Sequence, residues 1–473
     1  MSERPEGLKE KVIRGGLFLT LRKLVAAAFS LVSVLLIARV LGPEKYGIVA
    51  IALGTFYFFK WICKLGLNVY LIRQTDISRD SAEQVLAFFT TVGFLLCCLL
   101  FLSAPAFGWW TERTEITQVI RWLTLPVWFE MLASASVGMM ERELRFAEVG
   151  LIETAAQITN YAVAIPIVLI YQTVWGPIIG VIAQFGLLLG LARWLSPVSW
   201  GWRWKMKTLK PALHYGLTYS GSDLILSLRA LTVPMLVSRL AGIEAAGLVS
   251  ISVRFVEQLA MLRIVVRRMS ISVIAKFLDS PDRIRRTISQ GMAYQILLVG
   301  PFCALFSCLA LWLVPLMFGE RWLPSARLFP LVALAIIVAT LFDLHSGALY
   351  AIGKNNKVAQ FNAVYIGLLW LGCGLLIPRY GIWGYGIAEI LSLPSYGLMH
   401  IFFSQTFGSP NYRLGIGFLL ATLPALLGGI VLPLGLSVLL FVVSYGGLLI
   451  ASKQSWEVIQ KLWLNWKSRP SPS

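Results

Sequence analysis

Apolar stretches long enough to cross a bilayer follow one another along almost the whole chain, parted only by short charged or Pro/Gly-containing breaks. A membrane-spanning helix needs about 20 mostly apolar residues. Inside hydrocarbon, every backbone N–H and C=O must be satisfied within the segment, so stretches of this length read as helices. We place spans at 16–38, 46–65, 83–104, 118–139, 149–170, 175–195, 212–240, 246–270, 289–316, 326–351, 358–377, 383–404, 414–433 and 435–452, about fourteen in all. With 58% hydrophobic residues and a mean hydropathy of +0.75, the chain cannot present an ordinary water-exposed surface. The expected fold class is an all-α integral membrane protein. The longest connections, Ser196–Lys210 and Lys276–Thr287, have no room for a catalytic or nucleotide-binding domain. The first apolar stretch follows Arg4, Lys9, Lys11 and Arg14 and lacks a small-residue cleavage site, so we expect a first helix and not a signal peptide.

A net charge of +18 would suit nucleic acid, but its placement follows the membrane. With connections alternating sides, the N-terminal side collects Arg4 to Arg14, Arg73, Arg79, Arg142, Arg145, Arg193 to Lys210, Arg267 to Arg286, Lys354, Lys357, Arg413 and Lys453 to Arg469. The opposite side holds only Arg39, Lys45, Arg113, Arg121, Arg239, Arg321, Arg327 and Arg379. The positive-inside rule then puts both termini in the cytoplasm, with the basic excess facing anionic lipid and no nucleic-acid partner.

The chain also repeats. Residues 36–54 (LIARVLGPEKYGIVAIALG) return as 236–254 (LVSRLAGIEAAGLVSISVR), with Leu36, Arg39, Gly42, Glu44, Gly47, Val49 and Ile51 each meeting an identical partner 200 positions on. An even number of spans separates the copies, so both point the same way and the halves read as parallel repeats, an arrangement common in transporters. A shorter match joins Phe107-Gly108-Trp109 to Phe318-Gly319-Glu320. The expected organisation is an N-lobe over 1–195, an interfacial linker over 196–211, a C-lobe over 212–405, two additional helices over 406–452 and a tail over 453–473.

The stretch from Leu36 to Gly47, followed by Gly66-Leu67 and Leu71-Ile72-Arg73-Gln74, resembles the first-loop signature of bacterial oligosaccharide flippases. These are the Wzx-type polysaccharide exporters of the multidrug/oligosaccharidyl-lipid/polysaccharide superfamily. The resemblance implies two six-helix lobes in the inner membrane. It further implies that they carry an undecaprenyl-diphosphate-linked oligosaccharide to the outer leaflet by alternating access. It makes lipid-linked oligosaccharide and membrane lipids the partners, with a polysaccharide polymerase and export machinery as candidates beside them. A multidrug or cation antiporter of the same superfamily is the alternative.

Charges inside the apolar stretches point to the cargo, since each is costly at the bilayer centre without a cavity or partner. Arg22 and Lys23 sit roughly 10 Å deep on the first span, with Lys60 and Lys64 returning near the same depth on one helix face. Arg229 and Arg254 lie roughly 12–17 Å from the other surface. A planar guanidinium binds phosphate oxygens through parallel hydrogen bonds. Arg22, Lys60 and Lys64 are therefore candidates for a receiving collar, and Arg229 and Arg254 for a midway site. Snorkelling to the interface is the competing role, chiefly for Lys23 and Lys64. Among the acids Asp223, Glu257, Asp343 and Glu389, the first three are candidates for ion coupling, although Glu257 is also placed to pair with Arg254 one turn away.

Arg39, Gly42, Arg239 and Gly242 read as structural caps, a basic last turn followed by a glycine stop. Pro126, Pro166, Pro234, Pro301 and Pro315 favour kinks. All six cysteines (Cys63, Cys97, Cys98, Cys303, Cys308, Cys373) fall in apolar stretches, and with His214, His345 and His400 they show no metal spacing, so neither metal nor cofactor is expected. Trp200–Lys207 and Trp456–Lys467 suit interface anchoring. A membrane glycosyltransferase would need carboxylates in a substantial outer loop, but Gly108–Thr117 offers only Glu112 and Glu115. No catalytic residue is expected.

Overall fold

The computed structural model describes residues 5–64, 79–143, 145–198, 221–222, 224–277 and 280–451, and these are helical almost throughout, with no strand among them. The chain divides into two compact units, Met1–Gly247 and Leu248–Ser473. The linker expected over 196–211 lies, beyond its first three residues, outside the described residues. Nine helical stretches among the described residues are long and apolar enough to cross a membrane. The molecule is an all-α membrane protein.

Unit 1 opens with α1 (Pro5–Lys64), two helices that meet at a kink and together cover 60 residues. Straight, it would reach about 90 Å, three times the hydrocarbon thickness, so it has to bend. The bend is at Gly42, whose φ of 71° and ψ of 173° leave the helical region. Pro43 follows, and with no N–H to lose it suits the first turn of a second arm. The spans expected at 16–38 and 46–65 are thus the two helices on either side of this kink, its two arms. Then come α2 (Arg79–Trp110), α3 (Thr114–Arg142), α4 (Phe146–Tyr171) and α5 (Trp175–Leu195). Lipid tails give little drive for helices to associate, so the interior relies on close packing and polar contacts. Asn160 of α4 donates to Gln184 of α5 at 2.7 Å, and Ser30 meets the Tyr161 hydroxyl at 2.7 Å. Leu102, Ile170 and Trp194, each at least 70% exposed, face outward as lipid-facing residues do.

The seventh span is not a regular helix where it is described. It tightens to a 3-10 turn over Leu228–Leu231 and widens to a π-helix over Thr232–Val237, which contains Pro234. A proline removes one backbone donor and clashes with the preceding turn, and the backbone shifts register around it.

The repeated segments pack on each other reciprocally. A Cβ added to Gly47 would lie 2.0 Å from the Ile243 carbonyl oxygen, and one added to Gly247 would lie 2.1 Å from the Pro43 carbonyl oxygen. Residues 43 and 47 therefore meet 247 and 243 in exchanged roles, the signature of a two-fold relation. Only glycine fits at either crossing.

The helix α6 (Ile243–Ala260) continues from unit 1 into unit 2 and stops at a turn over Met261 and Leu262, beyond which α7 covers Arg263–Lys276. The single span expected at 246–270 is therefore two helices. Next, α8 (Pro281–Phe318) absorbs half of the expected connection Lys276–Thr287 and carries Arg283, Arg285 and Arg286 in its first turns. It is followed by α9 (Leu323–Ala351), α10 (Asn355–Tyr380), α11 (Ile382–Leu391) and α12 (Tyr396–Phe407). Between the last two, a 3-10 turn at Leu393–Ser395 contains Pro394 and interrupts the span expected at 383–404. The proline that breaks this helix is one the sequence reading did not single out.

The two additional helices are α13 (Arg413–Val431) and α14 (Leu434–Ala451). They are bound to the rest of unit 2 by specific contacts. The Ser307 hydroxyl of α8 donates to the Leu426 carbonyl of α13 at 2.6 Å, while Thr422 of α13 meets the Tyr445 hydroxyl of α14 at 2.7 Å and ties the two helices to each other. Tyr412, just before α13, lies 2.7 Å from His345 Nε2 and 2.9 Å from His400 Nδ1, tying that end to α9 and α12.

Candidate functional site

In unit 1 the second arm of α1 carries Lys60 about 27 Å from the Gly42 bend, near the far side of the bilayer core. The start of α3 is held beside the same bend by Arg113, whose Nη2 lies 2.6 Å from Glu44 Oε1. Glu130 lies about 24 Å along α3, so the two reach one depth. Lys60 Nζ is 3.2 Å from Glu130 Oε1, with side chains 22% and 9% exposed. The same ammonium lies 4.5 Å from the Phe185 ring centroid. Lys60 thus points inward, onto a carboxylate and an aromatic face.

Glu130 was missed by the sequence reading, although a lone carboxylate in an apolar span was signal enough. Removing one partner of a buried pair strands the other charge, whereas removing both does not. Glu130→Ala is therefore expected to cost about 2 kcal/mol or more of stability, and Lys60→Met with Glu130→Met to recover most of it. Thermal melting of the purified protein reads both; a double variant no better than the single would contradict the pairing.

Arg229 is half-buried in the 3-10 stretch, next to the π-helix. A Cβ on Gly54 would sit 2.8 Å from the Ala230 carbonyl oxygen, so the segment carrying Arg229 lies along the arm that carries Lys60. Local 3-10 and π geometry is frequent at functional sites. The side chains of Arg22, Lys23 and Lys64, and Asp223 as a whole, lie outside the described residues. Of the expected collar, the structure places Lys60 alone.

Arg254 in unit 2 is half-buried on α6, while Glu257 is exposed and forms no ion pair among the described residues. The pairing expected between these two is not made. Past the break at Met261 a polar cluster joins α7, α8 and α9. Arg263 donates to Thr340 Oγ1 at 3.3 Å, Arg267 Nη1 is 3.1 Å from Asp343 Oδ1, and Gln295 donates to Asp343 Oδ2 at 3.1 Å. Gln295 also donates to the Arg263 carbonyl at 3.4 Å, and its Oε1 is buried without a hydrogen-bond partner among the described residues. Asp343, named for ion coupling, is thus already matched by a guanidinium and an amide. Glu389 is buried and accepts from the hydroxyls of Tyr365 at 3.1 Å and Tyr385 at 2.7 Å. Arg263 and Gln295 carry no signal that the sequence analysis uses, and Arg267 enters it only as one of the basic residues on the N-terminal side, because α7 reads there as the end of a span and its flanking loop. Arg263 and Arg267, four apart, carry the same one-face spacing as Lys60 and Lys64.

Gly42 and Gly242 take φ of 71° and 91°, in the left-handed region that favours glycine. Arg39 is exposed. Arg239 does more than end a helix, for it pairs with Glu112 and lies 5.7 Å from the Trp110 ring centroid.

Fold and charge together define a multi-pass, all-helical membrane protein that keeps several cations within its apolar helices. The chain belongs to the family described as "Polysaccharide biosynthesis protein", whose model matches residues 36–327. The family resemblance read from the Leu36–Gly47 stretch is thereby confirmed. A lipopolysaccharide biosynthesis protein of Escherichia coli (strain K12), WzxC, is 19% identical over 337 residues, covering 71% of this chain and 68% of that protein. The structure superposes on the lipid II flippase MurJ, in its inward closed conformation, with a TM-score of 0.72 at 12% identity, covering 91% of this chain and 98% of that one. The eukaryotic MATE transporter AtDTX14 gives 0.57 at 14% identity, covering 85% and 97%. The fold is that of these transporters.

Proposed function

We propose that this chain moves an oligosaccharide carried on undecaprenyl diphosphate from the cytoplasmic to the outer leaflet by alternating access, for surface polysaccharide biosynthesis. One observation carries the reading: Lys60, Arg229, Arg254 and Arg263 are half-buried within or beside apolar helices. A cation at the bilayer centre costs about 2.5–3.5 kcal/mol on insertion scales, so such residues mark a path or a partner. A diphosphate needs its charge compensated along any such path, and guanidinium groups do this with paired hydrogen bonds. Placement in the inner membrane with both termini cytoplasmic rests on the asymmetry of Lys and Arg. The lobes over 1–195 and 212–405 are the bodies proposed to alternate, with the described part of the chain up to Gly247 packed in unit 1. Asp223 and Glu257 stay as coupling candidates, and Asp343 binds a proton or sodium ion only when Arg267 leaves it. A polysaccharide polymerase and export machinery are the proposed partners.

A cationic drug would meet these same positive charges, which disfavours the antiporter reading. The test is reconstitution of purified protein into vesicles bearing a labelled undecaprenyl-diphosphate oligosaccharide, with a membrane-impermeant lectin reporting sugar that has crossed. Time-dependent crossing above that of protein-free vesicles is expected. Gradient-driven ethidium uptake without lipid movement would overturn the proposal in favour of the antiporter.

A further inference from the structure

At the end of unit 1 that carries the Gly42 bend, the turn between α2 and α3 borders two adjoining cavities of about 550 and 500 Å³. Each is within the range of about 300–1,000 Å³ typical of small-molecule sites. They share a wall made by Trp110, Glu112, Arg113 and Arg239, and the larger is also lined by Glu44 and Glu244. We propose that this cup recognises a neutral hexose, the sugar end of the cargo, on the non-cytoplasmic face. The inference rests on the flipping reading for the identity of the cargo and for which face this is.

The wall is built and held. Glu112 takes a φ of 57°, one of two non-glycine residues in that region among the described residues. Such a conformation costs on the order of 1–3 kcal/mol and persists only where its surroundings enforce it. Here it directs the carboxylate onto Arg239, which belongs to the second copy of the repeat. Arg113 is fixed in the same way by Glu44, of the first copy, at 2.6 Å. The Trp110 indole N–H donates to the Met235 carbonyl at 2.7 Å, which sets the ring plane. Trp109 stands beside it, with ring centroids 6.4 Å apart and the planes tilted by 56°, and is 76% exposed.

This combination fits a pyranose. One face of such a ring is a row of C–H groups that packs on an aromatic face, and Trp109 leaves its face open for it. The ring's hydroxyls call for planar ionic groups that accept or donate in pairs, which the two Arg–Glu pairs supply. Glu244 is exposed at the rim and has no ion-pair partner among the described residues, so its carboxylate is open to accept sugar hydroxyls. Three carboxylates (Glu44, Glu112, Glu244) against two guanidiniums (Arg113, Arg239) leave the lining one negative charge in excess. That balance disfavours uronic acids and phosphorylated sugars and accepts neutral ones. The repeat thus supplies acid and base to one wall, which its reading as a pair of caps did not anticipate.

Saturation-transfer NMR on the purified full chain in a detergent without a sugar head group tests the cup, with glucose, galactose, mannose and glucuronate as probes. Signal on the ring C–H protons of at least one neutral hexose is expected, with glucuronate at least tenfold weaker. Trp109→Ala should lose the signal at least tenfold, Glu244→Gln should weaken it, and Trp109→Phe should keep it. Equal signal in Trp109→Ala would overturn the proposal and leave Trp109 a membrane-interface anchor, and glucuronate binding above the neutral sugars would overturn it as well. Vesicle flipping by the wild type without any sugar signal would sink the cup and spare the transport reading; sugar signal without flipping would do the reverse.

Discussion

Gly247→Val is expected to yield no folded protein, and Gly47→Ala and Gly247→Ala each to lower stability by about 3 kcal/mol or more, at or beyond the upper end of ordinary overpacking. An added Cβ would stand 2.0 Å from the Ile243 oxygen or 2.1 Å from the Pro43 oxygen, well inside carbon–oxygen contact. Both obstacles are backbone atoms in the first turns of helices, so no side chain can rotate away, and the crossing itself has to open. Domain stabilities of about 5–15 kcal/mol leave little reserve for such a change. The two contacts share one crossing, so the double alanine variant should cost less than the sum of the singles. Gly190→Ala, where an added Cβ meets nothing within 4 Å, should melt like the wild type. Thermal unfolding of purified protein in detergent reads all four. Wild-type melting in Gly47→Ala or Gly247→Ala would show that the repeat segments do not cross as described.

That crossing was legible in the sequence as far as a sequence can show it. The repeat of Gly47 at Gly247 and of Pro43's position at Ile243 announced two equivalent segments pointing the same way, and the reciprocal packing is what two such segments do when they meet. The helical class was equally plain, because apolar length near 20 residues has one solution in lipid. Helix breaks were harder to read. The turn at Met261-Leu262 contains neither Gly nor Pro and has apolar residues on both sides, so hydropathy runs straight through it. Pro394 could have been read, yet ten residues on either side stay apolar enough for one span. The site was legible residue by residue and not as a set. Lys60 and Arg254 were found by their charge, whereas the pairing of Lys60 with Glu130 and of Asp343 with Arg267 depends on helices far apart in the chain. No spacing rule links residues 70 or more positions apart.

Arg229→Ala and Arg254→Ala are each expected to reduce export by at least about tenfold with protein level unchanged, and together to abolish it. A hydrogen bond to a charged group contributes about 1.5–3 kcal/mol, a factor of about 10 to 100 each. The effect should be greater where water is excluded. Both side chains are half-buried. Arg254→Lys should restore only part of the rate, since a lysine keeps the charge but lacks the planar fork. Cell-surface polysaccharide and membrane-fraction protein level, measured together, decide the matter. Normal export in either alanine variant would remove that arginine from the path.

The central claim is that cations within the apolar helices receive an anionic diphosphate. It is tested most directly by vesicles carrying one oligosaccharide on two lipids, one joined through diphosphate and the other through an uncharged linker. The expected result is at least tenfold faster crossing of the diphosphate form in the wild type, with that preference lost in Arg254→Ala. Equal crossing of the two lipids, or a preference that survives in Arg254→Ala and Arg229→Ala together, would contradict it.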